Sequence, residues 1–150
     1  MLHFEKSCIV AAPVATVWQF HERPDILTLL TPPWQPVQII RREGGLEVGA
    51  LSEFRIWLGP FPVQWISVHT SCVTNQQFTD EQQTGPMAAW THRHQFDAQG
   101  DQTRLTDAID FEIPGGEPSE LILGEWVKAR LNDMFAYRHQ VTQAHCTHEQ

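Results

Sequence analysis

The fold is decided by two consecutive segments, Trp90-Thr-His92-Arg-His94-Gln-Phe96 and Thr103-Arg-Leu105-Thr-Asp107-Ala-Ile109-Asp-Phe111, which are separated by the polar turn Asp97-Ala-Gln-Gly100-Asp. Alternate side chains of a β-strand share a face. One face of the first segment therefore carries Trp90, His92, His94 and Phe96, and one face of the second carries Leu105, Asp107, Ile109 and Phe111. The pattern predicts a hairpin with a polar cluster among apolar side chains. Such a face is either a core with a satisfied polar cluster or the wall of a ligand cavity.

The rest of the chain predicts a strand, two helices, further strands and a long helix. The predicted strands cover residues 3–11, 37–43, 50–58, 63–73, 76–82, 87–96 and 103–112. A first helix opens at Pro13, where the missing N–H would have no partner in any case, and a second covers 23–30. Short links between strands require antiparallel pairing. This order predicts an α+β fold, with a curved antiparallel sheet of six to seven strands wrapped around the C-terminal helix.

The last helix is predicted from residue 119 to about residue 143. Ser119 is a candidate N-cap, and apolar residues recur at three- and four-residue spacing. The stripe consists of Leu123, Val127, Leu131, Met134 and Phe135. We expect Cys146-Thr-His148-Glu-Gln to be a frayed tail. The whole chain, 1–150, is predicted to be one domain with an ordered core of about 2–143.

Charge and cysteine usage exclude several classes of protein. The formal net charge of -8 and the scattered basic residues disfavour nucleic-acid binding. Three widely spaced cysteines provide neither a disulfide framework nor a zinc motif. No signal peptide and no membrane-length apolar run is visible, so we expect a cytoplasmic protein. No cofactor-binding motif is present, and we expect no cofactor.

Several segments resemble the SRPBCC superfamily, also called START-like or Bet v 1-like, and within it the bacterial polyketide cyclase/dehydrase-like ligand-binding proteins. They are Ala12-Pro13-Val14-Ala-Thr-Val17-Trp18-Gln-Phe20, Thr31-Pro-Pro-Trp34, Phe78-Thr-Asp80 before Gly85-Pro86, the two strands quoted above, and Met134-Phe135-Ala-Tyr137-Arg138-His139. The resemblance covers nearly the whole chain. It implies the helix-grip fold and a cavity between sheet and helix that binds an apolar or amphipathic small molecule. It carries over no shared catalytic residues.

His92 and His94 form an HxH pattern on one strand face. Two such imidazoles can reach one metal ion if a third ligand converges, for which His69, Asp80 and Asp107 are the candidates. The alternatives are that the histidines hydrogen-bond to Asp107 in a polar part of the core, or that they line a cavity. Because buried polar groups are paired first, we expect no metal site. His92, His94 and Asp107 are the catalytic candidates if the protein is an enzyme.

The predicted function is the binding of a lipid, an isoprenoid or a polycyclic aromatic metabolite. The predicted ligand-binding residues are Trp65, His69, Phe78, Trp90, His92, His94, Phe96, Asp107, Leu123, Val127 and Leu131. The rigid loop at Thr31–Trp34 is either a lid or a simple turn, and an exposed Trp57 would favour a homodimer. The alternative function is a cyclase/dehydratase-type enzyme with a His/Asp proton shuttle in the same cavity. A third alternative is an interaction protein whose cavity is filled by its own side chains.

Overall fold

The computed structural model describes residues 1–148, which form a single antiparallel sheet of seven strands with three helices on one side. The strands are β1 (Leu2–Val10), β2 (Val37–Glu43), β3 (Leu51–Leu58), β4 (Phe61–Val73), β5 (Gln77–Thr84), β6 (Ala89–Gln99) and β7 (Gln102–Glu112). The helices are α1 (Val14–His21), α2 (Ile26–Leu29) and α3 (Glu117–His148). The spatial order is β1-β7-β6-β5-β4-β3-β2, so each strand from β2 to β7 pairs with its sequence neighbour and β1 closes the edge beside β7.

The β6–β7 hairpin has the predicted alternation of faces. Gly100 supplies the positive φ of 63° that the tight turn needs, and His94 lies opposite Asp107 in the register. Trp90, His92 and Phe96 are buried, as are their partners Leu105, Ile109 and Phe111 on β7. The predicted α+β helix-grip architecture is therefore confirmed.

The β4 strand settles a choice that the sequence left open, because both of its faces carry apolar residues. Trp65 is buried and stacks on Phe54 of β3, with ring centroids 5.9 Å apart, whereas Ile66 is half-buried on the other face. Trp57 is also half-buried, so it is less exposed than the sequence suggested.

Helix α3 is longer than its sequence pattern predicted. It begins at Glu117, immediately after Gly115 and Gly116, whose positive φ values of 101° and 71° turn the chain out of the sheet. It continues beyond residue 143 to His148, and the prediction of a frayed tail is wrong for residues 146–148 because Cys146 is fully buried against the α1 region. The last two residues of the predicted tail, Glu149 and Gln150, lie outside the described part of the chain. No helix within residues 1–148 is long and apolar enough to cross a membrane.

The interior consists of two hydrophobic clusters. The first joins α1, α2 and the end of α3 to the sheet and contains Trp18, Phe20, Phe78, Phe96 and Cys146. The second lies between the sheet and the middle of α3 and contains Phe4, Trp65, Trp90, Phe111, Leu131 and Phe135. Buried polar residues of β6, β7 and α3 belong to neither cluster. The concave side of the sheet is thus filled largely by aromatic rings, with a polar layer inside it.

Candidate functional site

The polar layer consists of Asp80 on β5, His92 and His94 on β6, Asp107 on β7 and His139 on α3. The sheet register brings the strand residues together, since Asp80 lies opposite His92 and His94 lies opposite Asp107. His92, Asp107 and His139 are buried, and the His94 side chain is only 12% exposed. Residues from three strands and one helix therefore meet in one water-poor place, where charge–charge interactions are strong.

The carboxylate of Asp107 is the centre of this layer because three histidines contact it. Its Oδ1 accepts a hydrogen bond from His92 Nε2 at 2.8 Å and also lies 3.3 Å from His94 Nδ1. Its Oδ2 accepts a hydrogen bond from His139 Nε2 at 2.6 Å. Burial alone would raise the pKa of Asp107, but the hydrogen bonds from His139, His92 and His94 outweigh it and hold that pKa well below its ordinary value of 3.8. Asp107 is therefore an ionised acceptor at neutral pH.

His94 connects the two carboxylates. Its Nε2 donates to Asp80 Oδ2 at 2.9 Å while its Nδ1 faces Asp107. An ionised carboxylate only accepts hydrogen bonds, so this arrangement requires a proton on both ring nitrogens. Burial lowers the pKa of His94, but the hydrogen bonds to Asp107 and Asp80 outweigh that effect and raise it above 6.5. Asp80 keeps a lowered pKa because these histidines outweigh the effect of its burial.

Four rings form a stacked column next to the carboxylates. His69 stacks on Phe78 at 5.4 Å, Phe78 on His94 at 3.9 Å, and His94 on His92 at 3.6 Å between centroids. A cationic His94 gains from the face of Phe78. The pKa of His92 is lowered by burial and then by the neighbouring charge of His94. The pKa values of the two stacked rings are therefore shifted in opposite directions, upward for His94 and downward for His92.

Two further histidines are buried outside the polar layer and bond to main-chain carbonyls. His21 Nδ1 donates to Val17 O at 2.8 Å, and His69 Nδ1 donates to Leu46 O at 3.0 Å. Burial lowers the pKa of His21 to about 4, and it lowers the pKa of His69 as well. Both rings therefore remain neutral at physiological pH. Hydrogen bonding to a main-chain carbonyl is an ordinary structural role for a histidine in a protein core.

Ten of the eleven predicted ligand-binding residues are buried or half-buried. Trp65, Trp90, Leu131 and Val127 belong to the second cluster or its edge, and Phe78 and Phe96 belong to the first. His69, His92, His94 and Asp107 are the polar residues described above. Leu123 differs, because it lies near the start of α3 and is 44% exposed.

The sequence leaves two orientations open for Arg138 and His139, toward the cavity or toward solvent, because a cation near a helix end is also explained by the helix dipole. Neither residue is among the predicted site residues. The signal was available, since Leu131, Phe135 and His139 follow one another at four-residue steps on one helix face. His139 is buried, and its Nδ1 has no hydrogen-bond partner within residues 1–148. Arg138 is half-buried, and its Nε is likewise a buried atom without a hydrogen-bond partner within residues 1–148.

Asp80, His92 and His94 also form the group closest to a metal-ligand set. Each presents one ligand atom, and these atoms lie within 4.8 Å of one another. Of the three third-ligand candidates, it is Asp80 that joins the HxH pair in this group. Contacts with Asp80 and Asp107 already engage both ring nitrogens of His94 and the Nε2 of His92.

The edge of the second cluster is where apolar surface stays accessible. Phe54 and Ile56 on β3, Val127 and Met134 on α3, and Met87 are half-buried although they pack on the cluster. Helix α3 packs most extensively on β1 and next on α1. We use the name β3–α3 groove for the half-buried apolar surface that Phe54, Ile56, Val127 and Met134 form at the edge of the second cluster. A separate surface pocket of about 270 Å³ lies at the start of α3 and is lined by Met1, Ala88, Glu112, Ile113, Gly115, Gly116, Glu117 and Glu120.

The loop before β2 touches α3 beside this groove. Trp34 packs edge-on against Tyr137 with centroids 5.6 Å apart, yet it remains 59% exposed. The Thr31–Trp34 loop therefore contacts the helix, and it also contains a turn toward β2 in which the Gln35 N–H donates to Pro32 O at 3.1 Å.

The sequence profile of the polyketide cyclase / dehydrase and lipid transport family matches residues 10–139. The chain belongs to this family. The SRPBCC resemblance stated from the sequence is thereby confirmed. A search of curated proteins gives no match. Family membership and the helix-grip fold together support a ligand-binding architecture.

Solved structures share this fold. The protein TTHA0849 from Thermus thermophilus is 13% identical to this chain. The match covers 99% of both chains and has a TM-score of 0.76. The Zhui aromatase/cyclase from Streptomyces sp. R1128 is 16% identical over 97% of this chain and 93% of its own, with a TM-score of 0.72. The nucleoside-diphosphate sugar epimerase from Corynebacterium glutamicum is 26% identical over 94% of this chain, with a TM-score of 0.71, but the match covers only 28% of that longer protein.

Replacing Asp107 by Asn should destabilise the protein by roughly 3 to 5 kcal/mol, because three buried histidines would lose their common charged acceptor. The matched control is Asp110→Asn on the same strand. Asp110 is 32% exposed and pairs with His3 and Arg93 at the surface, so its loss should cost less than about 1 kcal/mol. Urea unfolding at neutral pH measures both values. Equal costs for the two variants would contradict the central role of Asp107.

His21 should make the protein acid-sensitive. Its folded-state pKa of about 4 lies below the ordinary 6.5, so the unfolded chain binds the proton more readily and stability falls as pH drops through this interval. The expected loss from this one group is about 3 kcal/mol between about pH 7.5 and pH 4. His21→Phe should lose that much less stability than the native protein over the same range in urea unfolding. Parallel pH profiles of the two proteins would show that His21 is not the titrating group.

Proposed function

We infer that the protein binds an amphipathic small molecule, a lipid, an isoprenoid or a polycyclic aromatic metabolite, at the β3–α3 groove. The observation that carries this is the incomplete burial of Phe54, Ile56, Val127 and Met134 on the facing sides of sheet and helix. These side chains are large and apolar and pack against the core, yet they remain partly accessible to water. A ligand that covered about 200 Å² of this surface would gain on the order of 5 kcal/mol from apolar burial.

The inner wall of this site consists of the second hydrophobic cluster. Trp65 and Trp90 meet edge-to-face at 5.0 Å below Phe54, and Leu131 closes the helix side. Rings of this kind suit the flat body of an aromatic or isoprenoid molecule. The polar layer lies beyond this cluster, so a ligand with one polar end would find both kinds of surface. Family membership supports the same class of ligand, since the family description includes lipid transport.

N-phenyl-1-naphthylamine, a neutral dye that fluoresces in apolar surroundings, tests this function. We expect binding to the native protein and at least about tenfold weaker binding to Met134→Trp, because the larger side chain would fill the β3–α3 groove. Trp126→Ala is the control, since Trp126 is on the same helix but 60% exposed and outside the groove. Fluorescence titration gives the three dissociation constants. The proposed site would be contradicted if the native protein caused no increase in dye fluorescence, or if Met134→Trp bound the dye with the native dissociation constant.

A second candidate function is cyclase/dehydratase-type proton transfer at the same place. The observation that favours it is the Asp107–His139 pair, in which Nε2–H is held by the carboxylate while the buried Nδ1 has no protein partner within residues 1–148. In the neutral ring this leaves a lone pair on Nδ1, which is the state of an oriented general base. Such a base would take a proton from the carbon next to a carbonyl, and the electron pair would move to the carbonyl oxygen to form an enolate. His92, His94 and Asp107 would then be positioning residues around His139.

This candidate is tested with 2-tetralone, a bicyclic ketone with exchangeable protons next to its carbonyl. An enzyme of this kind should accelerate their exchange in D₂O above the buffer rate, as followed by proton NMR. His139→Gln should abolish the acceleration because glutamine can donate to Asp107 but cannot accept the proton. The dye should still bind this variant. Exchange at the buffer rate with native protein would remove the enzyme hypothesis and leave ligand binding intact.

A further inference from the structure

Arg138 lies at the inner end of the helix stripe that borders the β3–α3 groove. Val127, Met134 and Arg138 are separated by seven and four residues, which places their side chains on one face of α3. His139 is one residue further and points about 100° away, toward Asp107. Arg138 therefore continues this row of the helix, about 16 Å along the axis from Val127.

The described part of the chain provides no hydrogen-bonding partner for the Nε–H of this guanidinium. The Nε of Arg138 is completely buried and, within residues 1–148, neither bonds to an acceptor nor joins an ion pair. The central guanidinium carbon lies 5.3 Å from the centroid of the Phe135 ring. The two interior carboxylates that attract it, Asp107 and Asp80, are already engaged by histidines.

A buried N–H without an acceptor is costly, and buried polar groups nearly always find a partner. The neighbouring His139 Nδ1 is a second buried polar atom without a partner in residues 1–148, on a side chain only 5% exposed. This turn of α3 therefore carries two buried polar atoms whose hydrogen bonds the described protein atoms do not complete. Because guanidinium carries only donors and remains charged, the group that would complete it is an oxygen acceptor.

We propose that Arg138 binds a carboxylate at one end of the hydrophobic ligand. This rests on the proposed function, because the apolar body of the ligand would occupy the β3–α3 groove while its acidic end reaches Arg138. A carboxylate can accept two parallel hydrogen bonds from one guanidinium, which adds orientation to affinity. In a chain with a net charge of -8, this selectivity for an anion has to come from a local group and not from the overall field.

Displacement of N-phenyl-1-naphthylamine by matched acid and neutral competitors tests the proposal. Decanoate and 1-decanol form an acyl pair, and 2-naphthoate and 2-acetonaphthone form an aromatic pair. The experiment therefore also distinguishes a ligand with an acyl body from one with an aromatic body. We expect the acid of at least one pair to displace the dye at about tenfold lower concentration than its neutral partner. Arg138→Met should abolish this difference, and Arg138→Lys should keep part of it.

Arg130→Met is the matched control, because Arg130 lies on the same helix, is 58% exposed and pairs with Asp133 at the surface. It should leave the acid preference unchanged. Equal displacement by acids and neutral partners in the native protein would overturn the proposal while dye binding kept the proposed function. Loss of dye binding in both Arg138→Met and Arg138→Gln would also overturn it, since Arg138 would then be structural. A native protein that binds no dye would refute both.

Discussion

The structure depends on one buried carboxylate, that of Asp107. Its two oxygens bind His92 and His94 from the neighbouring strand and His139 from α3, so a single group joins β6, β7 and the long helix. Taking a carboxylate out of water is expensive, and only the sum of these donors compensates it. As a consequence, α3 cannot rotate or slide along the sheet without removing a hydrogen bond from a buried, ionised carboxylate. Apolar contacts alone would tolerate such sliding.

A polar layer of this kind is unusual in a chain that could fill the same space with aliphatic residues. Replacing a buried ion pair by well-packed apolar residues is often neutral or stabilising. The layer therefore contributes little that a purely hydrophobic interior could not supply in stability. It does supply orientation, because hydrogen bonds fix the helix face and the histidine tautomers. It also supplies charged groups close to the apolar groove. Such groups can orient a bound ligand, whereas they are not needed to fill a protein interior.

The fold was predictable because its signals are periodic. Alternation along Trp90–Phe96 and Leu105–Phe111 fixed the faces of the central hairpin, and the glycine turns fixed its ends. Tertiary contacts overrode local signals where the prediction was wrong: the apparent tail remains helical because Cys146 packs into the α1 cluster. The spacing from Leu131 and Phe135 places His139 on the buried helix face, but a histidine near a helix end is favourable in solvent too. The sequence therefore left its orientation open, since the partner Asp107 lies far away along the chain. Which apolar side chains stay half-exposed depends on the tilt of α3, which spacing does not encode.

The two flanks of α3 differ in how completely the rest of the protein covers them. On one flank Phe135, His139 and Cys146 are buried against the sheet and α1, and Asp107 holds that side in register. On the other flank Val127 and Met134 are only half-covered, and the Nε of Arg138 has no acceptor from within residues 1–148. Consecutive helix residues point about 100° apart, so the change from the anchored flank to the open flank takes a single step, from His139 to Arg138. A ligand could thus occupy the open flank without breaking the hydrogen bonds of the anchored one, which is the condition for a site that fills and empties in a folded protein.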